Sequence, residues 1–153
     1  MAVELTIKLP NKVGQLGALA GALGDAGISM RSIAATTGGG AGTVYIVVDD
    51  KDAAKARRAI KKNKYRISKD RKIVEVRLAN KPGTLARAAK RLGKNKVNIE
   101  SAYMLGASKK STTLGIGVKD PNLAPFGLRM SSTPEEARVA GATFRDAVIK
   151  HRA

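Results

Sequence analysis

The sequence has no cysteine, no tryptophan and one histidine in 153 residues. Without cysteine there is no disulfide, no thiolate zinc or iron–sulfur site and no thiol nucleophile. The lone His151 supplies too few imidazoles for a metalloenzyme or a Ser-His-Asp hydrolase. Aromatics are scarce too, with two Phe and three Tyr, so a core must be aliphatic. No apolar run approaches the roughly 18 residues that cross a bilayer, and "MAVELTIKLP" lacks the basic-then-apolar order of a signal peptide. Cytoplasmic residence without membrane contact is the expectation. There is no pair of carboxylates in an apolar setting and no nucleophile beside a base. The chain reads as a non-enzyme with no metal and no cofactor. "GGGAG" is not followed by the Gly-Lys-Ser/Thr of a phosphate loop. "DDKD" lacks the glycine and distant glutamate of a calcium loop, and helix capping accounts better for its acids.

Acids are the scarcest charged class: 12 Asp/Glu stand against 29 Lys/Arg, for a net charge of +17. The excess is shared unevenly. Residues 1–70 hold 12 bases and 6 acids, residues 71–118 hold 11 and 2, and residues 119–153 hold 6 and 4. Such a balance attracts polyanions, nucleic acid among them, and also promotes solubility.

What is present is a repeat. "NKVGQLGALAGALGDAGISMRS" at 11–32 returns as "NKPGTLARAAKRLGKNKVNIES" at 80–101, an offset of 69. Gly14 meets Gly83, Leu16 meets Leu85, Leu23 meets Leu92 and Ser32 meets Ser101. One extra residue in the next loop then sets Ile46 on Ile116 and Val48 on Val118. Matches in step over this length mark a tandem duplication. They predict domains at 1–70 and 71–153, with 119–153 divergent.

In the first copy Val3, Leu5, Ile7 and Leu9 alternate with Glu4, Thr6 and Lys8, a half-buried strand. Leu16, Leu19, Ala20 and Leu23 recur at helical spacing until Gly27. "ISMRSIAA" reads as a second strand, "TTGGGAG" as a flexible hairpin loop and "TVYIVVD" as a third strand. "DDKDAAKARRAIKKN" reads as a helix capped by an aspartate, with Ala53, Ala56 and Ile60 inward. "YRIS" closes the unit. The second copy repeats the plan through "IVEVRLA", "TLARAAKRLGK", "VNIESAYML" and "TTLGIGV", and then departs. Thr133, Pro134 and Glu136 carry a helix-start signal. The stripe Ala137, Ala140, Phe144, Ala147 and Val148 predicts a C-terminal helix at about 134–150. The fold class is α+β: two ferredoxin-like βαββαβ units with antiparallel sheets, the second atypical.

Each copy places a glycine between a strand and a helix. There, backbone amides converge on the positive end of a helix dipole, where a carboxylate fits, and Asn11 or Asn80 can hydrogen-bond it or a neighbouring ammonium. A plain tight turn, with Gly for positive φ and Asn for capping, explains the same residues.

Strand, "NKPGTLARAAKRL" and "VNIE" closely resemble the ACT domain, a family of small βαββαβ regulatory modules. The resemblance runs over residues 3 to about 68 and again 73 to about 118. The first copy matches well but lacks the proline. The resemblance implies effector binding: modules pair side by side, and a free amino acid sits between one module's turn and a neighbour's strand. Carried over by position, Asn80, Pro82, Gly83, Thr84 and Asn98 form the second copy's site. Asn11, Gly14 and Ser29 form the first, where Ser29 reaches less far than Asn98. A homodimer or higher homo-oligomer and a separate metabolic enzyme or regulator are the implied partners.

Two basic stripes stand apart from this reading: Lys51, Lys55, Arg58 and Lys62, and Arg87, Lys90, Arg91 and Lys94. Solvated helix faces explain such stripes, and so does phosphate contact. The βαββαβ order is shared with an RNA-binding module that stacks bases on strand aromatics, but "IVEVRLA" and "TTLGIGV" have none. Nonspecific nucleic-acid or polyanion binding remains the rival function.

Overall fold

The computed structural model describes residues 2–120. The predicted C-terminal helix and its cap lie outside them. The chain divides into two compact units, the first ending at Ile73 and the second beginning at Val74.

The first unit runs β1 (Ala2–Pro10), α1 (Gln15–Asp25), β2 (Ser32–Gly38), β3 (Ala41–Asp49), α2 (Asp50–Lys62) and the opening part of β4 (Arg66–Ala79). Its strands lie in the order β2-β3-β1-β4, all neighbours antiparallel. This is the βαββαβ order expected. Both helices have one apolar face, and burying it on the sheet gives a core of Leu5, Ile7, Leu19, Leu23, Ile46, Ala56 and Ile60 among others. Gly27 (φ 62°) terminates α1, with its amide on the Gly24 carbonyl at 2.7 Å.

Four details differ from the sequence expectation. The glycine run is mostly strand: β2 continues to Gly38, and only Gly39 and Gly40 turn, with φ of 58° and 79°. Two consecutive positive φ values make the tight hairpin turn whose twist matches the strands, so no flexible loop is needed. Glu4 and Thr6 on the supposed polar face of β1 are buried as well, and only Lys8 is exposed. Glu4 is 0% exposed, and Arg71 on β4 donates to it through Nε and Nη2, each at 3.1 Å. Thr6 Oγ1 donates to the same carboxylate at 3.1 Å. The pair satisfies what burial would otherwise penalise. No aspartate side chain caps α2; Asp49 instead accepts from Arg31 Nη1 at 3.4 Å. Finally, "YRIS" is not a short closing strand. It opens a 14-residue strand that includes "IVEVRLA". A bulge falls at Ser68, whose hydroxyl donates to the Thr6 carbonyl at 3.1 Å.

Asp70 on β4 also holds Arg57 of α2, with Nη2 to Oδ1 at 2.8 Å. That hydrogen bond raises the Arg57 pKa above its already high ordinary value, against a small lowering by burial. Arg57 therefore stays charged throughout the physiological range.

The second unit holds the remainder of β4, α3 (Thr84–Lys94), β5 (Ile99–Ala107) and β6 (Ser111–Val118). Its strand order is β4-β6-β5, again antiparallel. Its core is smaller among the described residues: Val76, Leu92, Val97, Leu114, Ile116 and Val118. The strand registers follow the offsets of the sequence repeat. Leu5 faces Ile46 as Val74 faces Ile116, and Ile33 faces Ile46 as Ala102 faces Ile116.

Candidate functional site

The two glycine turns have the same backbone. Gly14 (φ 85°) precedes α1 and Gly83 (φ 81°) precedes α3, and no side chain caps either helix. The left-handed φ explains why glycine stands there. The Gln15 and Thr84 amides reach back to the Lys12 and Lys81 carbonyls at 3.3 and 3.4 Å, and no side chain caps the amides that follow, the condition under which a helix end receives an anion. A side chain at Gly14 would meet nothing within 4 Å, so the approach is open.

The side chains differ. Asn80 Nδ2 donates to the Ser108 carbonyl at 2.8 Å, and the Asn80 amide donates to the Lys110 carbonyl at 3.0 Å. The Thr84 hydroxyl lies 2.9 Å from both the Ala79 and Lys81 carbonyls. Both side chains thus tie the turn to itself and to the β5–β6 hairpin. In the first unit only the Asn11 backbone is engaged, its amide reaching the Gly40 carbonyl at 3.4 Å. The Asn11 side chain is exposed and makes no hydrogen bond to the described residues.

Asn11 and Gly14 share one turn, and Asn80, Pro82, Gly83 and Thr84 share the other. Ser29 and Asn98 are exposed but lie beyond the far ends of α1 and α3. Each helix has 11 residues, so about 16 Å of helix separates them from their own turns. Within one unit, then, the expected residues do not converge. Beside each turn stands an exposed apolar pair: Val13 with Leu16 (45% exposed), and Pro82 with Leu85 (50%).

Two surface depressions lie nearby. One, of about 280 Å³, is lined by Arg77, Ser108, Ser111 and Thr113, with Arg77 Nε donating to Ser111 Oγ at 3.1 Å. The other, of about 600 Å³, runs between α1 and α2 over Ala18, Gly21 and Ala22, with Lys55, Arg58 and Lys62 along its edge. Among the described residues no three His, Cys, Asp or Glu side chains gather as a metal site, and no helix is long and apolar enough to cross a membrane.

The ACT domain model matches residues 3–64, which contain the first turn, both helices of the first unit and β1 to β3. This stretch matches the ACT domain family. Solved structures extend the likeness over most of the chain. Protein BT0572 from Bacteroides thetaiotaomicron is 25% identical with a TM-score of 0.71, over 83% of this chain and 85% of its own. The regulatory subunit of aspartate kinase from Thermus thermophilus, in a ligand-free form, is 18% identical with a TM-score of 0.66, over 84% and 88%. That of Thermus flavus is 16% identical with a TM-score of 0.61, over 84% and 90%. The kinase subunits share the ACT fold with this chain. Comparison with curated proteins gives no match.

Proposed function

We propose that this chain is a regulatory protein that binds a free amino acid through its ACT turn and passes the bound state to a partner enzyme. The observation that carries the reading is the open turn at Asn11–Gly14 inside the ACT-matched stretch. There, helix amides without a side-chain cap can take the carboxylate, and the Asn11 side-chain amide oxygen can accept from the ammonium. Val74–Val118 is read as a second ACT-like module, supported by its matching strand registers and by the fold shared over most of the chain with the aspartate kinase regulatory subunit.

Because Ser29 and Asn98 stand a helix length from their own turns, a pocket using both kinds of residue takes the strand start from a module of a second chain. The exposed pairs Val13/Leu16 and Pro82/Leu85 are apolar surface that such pairing would cover. Ligand binding across that contact favours one arrangement of modules, a coupling typically of about 1–3 kcal/mol. The lack of a catalytic constellation in this sequence is in keeping with regulation in place of chemistry.

The test is calorimetric titration of the twenty amino acids into wild type and Asn11→Ala, with sedimentation in parallel. Saturable binding of one amino acid, weakened about tenfold in Asn11→Ala and accompanied by a shift in association state, is the expected result (loss of one charge-assisted hydrogen bond, about 1.5 kcal/mol). Heats no larger than dilution for all twenty would rule the reading out.

A further inference from the structure

We propose that the outward face of α3 binds the phosphate backbone of a nucleic-acid duplex without reading its sequence. The face is built by Arg87, Lys90, Arg91 and Lys94, which at 3.6 residues per turn occupy about 100° of the helix circumference and about 10 Å of its length. That length is close to three phosphate steps along one strand of a duplex, at about 3.4 Å each.

Three observations set this face apart from an ordinary solvated one. First, α3 contains no acidic residue, and none of the four cations forms an ion pair with a described residue. Second, Arg87–Arg91 and Lys90–Lys94 are like charges at i, i+4, and Arg87–Lys90 and Arg91–Lys94 at i, i+3. Each such pair costs an isolated helix a few tenths of a kcal/mol until an anion neutralises it. Third, Arg91 Nη1 is buried and has no hydrogen-bond partner. A buried guanidinium nitrogen without an acceptor is costly, so turning the Arg91 side chain outward onto a phosphate oxygen would relieve that cost.

The fold itself does not require these cations. The repeat-equivalent positions on α1 are Ala18, Gly21, Ala22 and Asp25. Nor is α2 an equal rival. Its stripe Lys51, Lys55, Arg58 and Lys62 shares the helix with Asp50 and Asp52, and Asp25 stands on the edge of the adjoining groove. A duplex is favoured over a single strand because exposed stacking platforms are missing among the described residues: Tyr103 is buried, and Tyr45 and Tyr65 are half-buried. It is favoured over an acidic protein because the one large apolar side chain exposed on α3, Leu85 (50%), lies about half a turn around the helix from the centre of the stripe and gives it no apolar anchor.

The test is fluorescence anisotropy with a mixed-sequence DNA duplex of about 20 base pairs across a salt series, using the full chain. Four neutral glutamines at Arg87, Lys90, Arg91 and Lys94 are compared with four at Lys51, Lys55, Arg58 and Lys62, which remove the same charge. Glutamine keeps helix propensity, so the melting temperature of the α3 variant should hold or rise. At about 0.15 M salt the α3 variant should bind about a thousandfold more weakly, and its log–log salt slope should flatten by about 3.6; Arg91→Gln alone should cost about fivefold. The α2 variant should lose less than about tenfold. Equal losses in the two quadruple variants overturn the proposal, because net charge alone would then explain binding. So does a wild type that ignores the duplex but binds poly-L-glutamate, which would assign the face to an acidic protein.

Discussion

Helices α1 and α3 leave the same left-handed glycine, run for the same 11 residues and bury the same leucine, Leu23 in one and Leu92 in the other. Their outward faces share almost nothing. Where α1 runs beside α2 it carries Ala18, Gly21 and Ala22, small enough to leave a groove; α3 carries four cations. The inner face is dictated by the sheet, which has the same register in both units, so the repeat survives there. The outer face answers to whatever lies against it. The turns repeat this contrast: the Asn80 side chain is tied to Ser108, and the Asn11 side chain makes no hydrogen bond to the described residues.

The largest expected effect comes from a place where the copies diverge inside the core. Glu4 is fully buried against Arg71, and its repeat equivalent is Ile73, 1% exposed. Glu4→Ala, which strands a partly buried guanidinium, should cost about 3–5 kcal/mol by urea melts. A loss below about 1 kcal/mol would mean that the pair adds little. Next come the matched leucines. Leu23→Ala should cost about 4 kcal/mol, and Leu92→Ala about 1 kcal/mol less, because the smaller core around Leu92 can collapse further into the space. A larger loss at Leu92 would reverse that ranking of the two cores.

Most elements are legible in the sequence because apolar spacing fixes them and the duplication states them twice; α3 occupies the very residues that the pattern marks. What was illegible depends on partners far along the chain. Glu4 reads as exposed because its partner lies 67 residues away. The hydrogen bond from Asn80 to Ser108 is invisible in the sequence because Ser108 sits in a later hairpin. The run "SKDRK" inside β4 is polar enough to pass for a linker, yet Lys69 to Lys72 pair with β1. The glycines at 38–40 suggested a loop, although two positive φ values suffice for the turn.

Smaller effects sharpen the comparison of the turns. Gly14→Val and Gly83→Val should each cost about 1–2 kcal/mol, and about equally, since both force a β-branched residue to positive φ. A clear inequality in thermal melts would show that the two backbones are not equivalent. The smallest effect is the most diagnostic. Asn80→Ala should cost about 1 kcal/mol through its lost hydrogen bond, and Asn11→Ala less than about 0.5 kcal/mol. An amide retained with little effect on stability is one available for a ligand.

Amide NMR of the wild-type chain, recorded while each free amino acid is titrated, tests the regulatory account most directly. The account predicts saturable shifts for one amino acid at Gly14, Gln15, Leu16 and Gly17, the turn and first amides of α1. If no amino acid moves these signals, or if shifts appear only elsewhere, the ACT turn is architecture and the account fails.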